Sequence, residues 1–187
     1  MSNKFNKFRL ELIIGPMFSG KSTELLRRVS CCKSIGMKAL LINHTNDIRT
    51  TNYVKTHNGQ QEDAIKTKHL MSLVNNEKFK NANVIGIDEG QFFDDLKEFI
   101  LKIENLPKTI YISGLDGDYQ RNPMGQILDC IPLCDKLDKL NSLDMMSKDG
   151  SAGIFTKRIV NSNESVLIGA KESYLSVNRE NYFKNFI

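Results

Sequence analysis

Residues 15–22 read Gly-Pro-Met-Phe-Ser-Gly-Lys-Ser, and no other stretch narrows the possible folds as much. They fit the pattern G-x-x-x-x-G-K-[ST], with the apolar run FRLELII (8–14) before them and STELLRRVSCCKS (22–34) after. That context is what a phosphate-binding loop needs. A strand delivers the chain, glycines let backbone approach the anion, and the N–H groups of the loop and the following helix face one point. Gly15, Pro16, Met17, Phe18, Ser19, Gly20, Lys21 and Ser22 are therefore expected to cradle phosphates. Lys21 supplies a mobile positive charge for the outer phosphates, and the Ser22 hydroxyl can ligate Mg²⁺. The bland alternative is a glycine-rich turn that merely links strand to helix.

The flanking periodicity alternates between strand and helix. Leu25, Leu26 and Val29 share one face of the predicted helix at 22–34, and KALLIN (38–43) reads as a second strand. A polar stretch at 44–68 contains the turn signal His57-Asn58-Gly59. NVIGID (83–88) reads as a third strand, 94–105 as a helix with Leu96, Phe99, Ile100 and Ile103 on one face, and KTIYISGL (108–115) as a fourth strand. Residues 125–140 are predicted helical apart from Pro132. This order predicts an α/β protein of the P-loop (RecA-like) type, with a mostly parallel sheet and helices on both faces. Beyond 140 the texture changes: Asn, Ser, Asp and Gly crowd 141–153, and 154–160 and 165–170 read as a β-hairpin turning at Asn161-Ser162-Asn163-Glu164. The expected division is a nucleotide-binding core over 1–140 and a small C-terminal lasso or hairpin subdomain over 141–187.

Composition excludes several classes. A chain of 187 residues suffices for one core with a small appendage. Its 26 basic and 22 acidic residues are interspersed, without the basic stripe of a nucleic-acid surface. No apolar stretch approaches the roughly 20 residues of a membrane span. The apolar run near the start is too short for a secretory signal, so a cytoplasmic protein is expected. Cys31, Cys32, Cys130 and Cys134 accordingly read as reduced thiols. Cys130 and Cys134 have no second pair with which to complete a tetrahedral metal site.

Other polar residues gather at strand ends. VIGIDEG closes on Asp88, suited to holding Mg²⁺, and Glu89, suited to accepting a proton. Asp47 and Arg49 follow the second strand; Arg49 can steady phosphate charge, although a surface pair explains the two almost as well. Gln91-Phe92-Phe93 and the segment 115–121 also lie at strand C-terminal ends, where open α/β sheets bind ligands. Aromatic rings beside polar donors suit a planar base.

GPMFSGKST, VIGIDEGQFF, SGLDGDYQRNPMG, IFTKR and VLIGA-x-x-x-Y, in order over 12–174, resemble the thymidine kinases of the cellular and poxviral kind. The resemblance implies ATP and Mg²⁺ as cofactors, thymidine as substrate, and transfer of the γ-phosphoryl to its 5′-hydroxyl, giving dTMP for DNA precursor synthesis. It implies Glu89 as general base, with Lys21 and Arg49 also catalytic, and Ser22 and Asp88 as the metal groups. The nucleoside pocket would comprise Met17, Phe92, Leu115, Tyr119, Thr156, Ser165, Val166, Leu167, Ile168, Gly169 and Tyr174. Tyr119 stands where the family usually has Phe. Asp47 and Arg158 match further family positions, and a homo-oligomer, tetramer or dimer, is implied. One departure stands out. The family carries a structural zinc on two C-x-x-C pairs, but the matching stretches here are Asp144-Met145-Met146-Ser147 and Asn178-Arg179-Glu180-Asn181. No zinc is expected on these residues, so the subdomain is held by packing and oligomer contacts or its pocket-closing segment is loose. Two alternatives stay open: a P-loop ATPase acting on nucleic acid, and a nucleotide-binding homologue without catalysis.

Overall fold

The computed structural model describes residues 7–47, 53–55, 61–160 and 173–184. Strand β1 (Arg9–Gly15) is buried on both faces after Arg9, so its apolar run is continuous and not alternating, as in a parallel sheet covered on both sides. It leads into α1 (Lys21–Ser34), and β2 (Ala39–His44) follows. The polar stretch expected at 44–68 contains three short strands: β3 (Tyr53–Lys55) and β4 (Gln61–Asp63), which pair antiparallel, and β5 (Ile65–Thr67). A short helix α2 (Glu77–Asn81) precedes β6 (Val84–Ile87); α3 (Leu96–Ile103) precedes β7 (Thr109–Leu115). Strands β1, β2, β5, β6 and β7 with β8 (Lys136–Lys139) form one six-stranded parallel sheet in the order β5-β2-β6-β7-β1-β8.

The strand faces divide the core. Leu10, Leu12 and Ile14 of β1 join Ile85, Ile87, Ile110 and Ile112 against Phe99, Ile100 and Ile103 of α3. Ile13, Leu41 and Val84 face the other way and meet Leu25, Leu26 and Val29 of α1. The sheet is therefore a floor between two helix layers, as the alternating pattern predicts. Each of these side chains buried in full contributes about 1.5–3 kcal/mol before entropy is counted.

Residues 125–140 correct the helical reading. Only Leu128–Leu133 is helical, as a 3₁₀ segment holding Pro132, and Lys136–Lys139 is the edge strand β8. Proline denies the turn a backbone donor. The edge of β1 then captures the chain, with Asp135 N–H donating to Leu10 O at 2.8 Å and Leu140 N–H to Ile14 O at 2.8 Å.

Beyond residue 140, β9 (Ser142–Leu143) pairs with β10 (Ala152–Gly153), and β11 (Phe155–Arg158) pairs antiparallel with β12 (Tyr174–Val177), from Phe155 opposite Val177 to Arg158 opposite Tyr174. Residues 165–170, the expected partner of 154–160, lie outside the described residues; the observed partner strand is β12. Helix α4 (Arg179–Phe183) follows, capped by the Asn178 side chain. The Lys157 ammonium reaches its far end, donating to Asn181 O at 2.8 Å and to Lys184 O.

One carboxylate ties these pieces together. Asp144 is 2% exposed. Its Oδ1 accepts the N–H groups of Met146 at 2.8 Å and Ser147 at 2.7 Å, and its Oδ2 accepts the Asn178 N–H at 2.5 Å. Burial opposes ionisation here, but the N–H donors of Asn178, Ser147 and Met146 and the Asn181 amide outweigh it and hold the carboxyl far below the usual range.

Candidate active site

The loop after β1 carries the backbone geometry its sequence promises. Gly15 has φ 150°, and a Cβ there would lie 2.3 Å from Leu140 O. Gly20 caps α1 at φ 81°, while Phe18 adopts φ 63° without being glycine. A left-handed aromatic residue is uncommon and costs of order 1 kcal/mol or more, a conformation that functional loops tolerate. Lys21 folds back over its own loop, with Nζ donating to Pro16 O at 2.6 Å and Ser19 Oγ at 3.4 Å.

At the loop's foot three elements meet on one carboxylate. Asp88, at the end of β6 and 3% exposed, accepts from Ser22 Oγ of α1 at 3.1 Å and from Ser113 Oγ of β7 at 2.6 Å, both on Oδ1. This brings the sequence-selected pair Ser22 and Asp88 together. Ser113 was not singled out by sequence; its signal was a hydroxyl interrupting the apolar run of KTIYISGL. The oxygen-only donor set suits a hard divalent cation.

Glu89 follows at φ 55°, ψ 41°, and opens the 3₁₀ turn Gly90–Phe92. The turn places Gln91 beneath it, with Nε2 donating to Glu89 Oε2 at 2.6 Å. Phe92 lies 5.8 Å from the His44 ring, and Phe93 meets the same ring edge-on at 4.7 Å. Burial pushes His44 below its ordinary value, favouring the neutral ring against these aromatics. Asp47 is 4% exposed and accepts the Asn43 amide at 2.9 Å, so it is a buried anchor and not a surface residue.

The C-terminal strands reach over this end of the sheet. Thr156 Oγ1 on β11 accepts the Met17 N–H at 3.0 Å. On the same strand the Arg158 guanidinium lies 3.7 Å from the Tyr119 ring centroid and donates to the Tyr174 hydroxyl at 2.9 Å. Tyr119 is held from behind by the Tyr182 hydroxyl, which donates to its carbonyl at 2.9 Å. Met17 and Thr156 thus form one contiguous group, and Tyr119, Arg158 and Tyr174 another. Leu115 sits at the end of β7, tied through its backbone N–H to Gln91 Oε1 at 2.9 Å. Arg49, Ser165, Val166, Leu167, Ile168 and Gly169 lie outside the described residues. Among the described residues no cluster of three His, Cys, Asp or Glu side chains is arranged to hold a metal ion.

Known proteins resemble this sequence over nearly its whole length. A family model described as thymidine kinase matches residues 8–182. The thymidine kinase of sheeppox virus (strain KS-1) is 44% identical over 174 residues, 93% of this chain and 96% of that one. The thymidine kinase of vaccinia virus (strain Western Reserve) is 39% identical over 178 residues, covering 95% and 98%. Cytosolic thymidine kinase of Homo sapiens is 39% identical over 176 residues, covering 94% of this chain and 74% of the human one. The chain belongs to the thymidine kinase family.

Proposed function

We propose that this chain transfers the γ-phosphoryl group of ATP to the 5′-hydroxyl of thymidine, releasing dTMP and ADP. The observation that carries this reading is the meeting of Ser22, Asp88 and Ser113 at the foot of the phosphate loop, with Glu89 one residue beyond. Ser22 and Asp88 would hold Mg²⁺, which when bound neutralises phosphate charge and orients the transferring group.

The chain's own residues supply the rest. Lys21 exchanges its contact with Pro16 O for the phosphates, and the N–H groups of 18–22 line the anion, the Met17 N–H being held by Thr156. The family resemblance gives Arg49 the role of steadying charge on the transferred group. Glu89 accepts the proton as the 5′-oxygen bonds to phosphorus and the bridging oxygen leaves with ADP. Met17, Phe92, Leu115, Tyr119, Thr156 and Tyr174, with 165–169, form the nucleoside pocket. Tyr119 presents a ring to the base, and segment 141–187 acts as a subdomain closing over it. Binding between the pocket walls fixes the hydroxyl near the phosphate, an ordering that lowers the barrier before any bond changes.

No zinc belongs to this reading. At the four matching positions Asp144 already accepts N–H groups from Met146, Ser147 and Asn178, and a cation there would face donors where it needs acceptors. The protein is read as a cytoplasmic homo-oligomer without nucleic-acid or membrane partners. The family resemblance implies such an assembly; no helix among the described residues is long and apolar enough to cross a membrane.

Thymidine-dependent ADP release tests the reading. Release only with thymidine supports the kinase; release without it makes the protein an ATPase; no release under either condition makes it a nucleotide binder.

A further inference from the structure

We propose that Gln91 is a positioning residue for Glu89, fixing the carboxylate plane while tying it to the wall of the nucleoside pocket. The proposal rests on the reading of Glu89 as the proton acceptor.

The orientation of the amide follows from its partners. The Leu115 backbone N–H donates to one terminal atom of Gln91 at 2.9 Å, so that atom is the carbonyl oxygen. The other is then the NH₂ group, donating to Glu89 Oε2 at 2.6 Å. One side chain therefore links the ends of β6 and β7, the two strands whose loops carry Glu89 and Tyr119.

The surroundings give this amide little freedom. Gln91 is 3% exposed. Backbone closes on the residue at two points: a Cβ at Gly125, where φ is +60°, would fall 2.0 Å from the main-chain Gln91 O, and one at Gly114 would fall 2.6 Å from the side-chain Oε1, so the second contact confines the amide itself. Both positions are glycine, and the first also needs the left-handed backbone that glycine adopts without strain. Glu89 itself is left-handed at φ 55°. Its left-handed backbone at one end and the Gln91 amide on Oε2 at the other thus both constrain the plane of the carboxylate. Preorganisation of this sort is what a proton acceptor requires, since a hydroxyl must meet it within hydrogen-bond reach.

The isosteric substitution Gln91→Glu separates positioning from packing. It keeps the acceptor for Leu115 N–H and the side-chain shape, but sets a second carboxyl against Glu89 where a donor stood. A second carboxylate there repels Glu89 and turns it off its aim, so turnover at neutral pH should fall by roughly ten- to a hundredfold, the range for misplacing a reacting group. The KM values for ATP and for thymidine should hold. Gln91→Met, of similar length and without donor or acceptor, should lower kcat in the same way at unchanged KM.

If Gln91→Glu loses only thermal stability and leaves kcat in place, Gln91 is a packing residue and the proposal fails. Should Gln91→Glu not fold, Gln91→Met decides: wild-type kcat overturns the proposal, and lowered kcat with unchanged thymidine binding sustains it. Glu89→Gln tests the underlying reading separately. Full turnover there removes the proton-acceptor role, whatever Gln91 does.

Discussion

The Asn181 amide donates to both carboxylate oxygens of Asp144, each at 3.1 Å, across 37 residues of chain. Together with the N–H groups of Met146, Ser147 and Asn178 it makes a closed knot of donors around one charge. Two of the four positions where the family resemblance implies zinc-binding thiolates are this acid and this amide. Asn178 contributes its backbone N–H to Asp144 and its side chain as the cap of α4. The knot joins the turn after β9 to the start of α4, so hydrogen bonds to a charge stand where a metal would cross-link the chain.

Zinc should accordingly be dispensable. Elemental analysis is expected to find no stoichiometric zinc, and a zinc-selective chelator should leave Tm unchanged while Mg²⁺ is in excess. Structural zinc contributes folding energy outright, so one zinc per chain lost together with the fold would contradict this account.

Asp144→Ala should destabilise strongly, because several N–H donors lose a charged acceptor inside the protein. The expected cost is about 3 kcal/mol or more, given roughly 1–3 kcal/mol for each buried donor left unsatisfied. Asp144→Asn should cost less, as its carbonyl keeps some of these bonds. Denaturant melts compare the three proteins directly.

The same carboxyl sets an acid limit. Its folded value is depressed, so its contribution to stability is present above the unfolded value, about 3.9, and is lost as pH falls through the folded value. Stability should decline with acid below about pH 4, and Asp144→Asn should flatten that part of the profile. Melts from pH 7 to pH 3 on both proteins check this; parallel curves would contradict it.

Thr156→Val removes the hydroxyl oxygen that accepts the Met17 N–H at 3.0 Å. The phosphate loop and β11 then lose their direct bond, which should raise KM for thymidine while leaving ATP binding nearly intact. The expected stability loss is about 1 kcal/mol. An unchanged thymidine KM would show that β11 does not shape the pocket.

Lys21→Ala should lower kcat by roughly a hundredfold or more, the range for losing a group that meets charge growing in the transition state. Near wild-type turnover would remove the phosphate-loop assignment.

Much of this was legible before the structure because local signals and global fold agree. The loop at 15–22 demands a strand before it and a helix after it, and the apolar runs of β2, β6 and β7 repeat that unit. Residues 125–140 misled because their spacing mimics a helix, while Pro132 and the edge of β1 determine the outcome. β5 was hidden in a polar stretch because three residues at a sheet edge need little apolar surface. At the site, Ser22, Asp88 and Glu89 are identifiable by motif. Ser113 and the bridging role of Gln91 are tertiary facts, since each depends on two strand ends lying side by side. The Asp144 knot is likewise invisible in sequence, where the residue shows only as a lost thiolate.

The central claim is that this chain moves phosphate from ATP to a nucleoside with Glu89 taking the proton. Supplying γ-labelled ATP, Mg²⁺ and thymidine to wild type and to Glu89→Gln tests it most directly. Wild type is expected to place label in the 5′-phosphate of dTMP, and Glu89→Gln to lose about 10² to 10⁴ in rate at unaltered ATP affinity. Label released as inorganic phosphate independently of thymidine, or full transfer by Glu89→Gln, would contradict it.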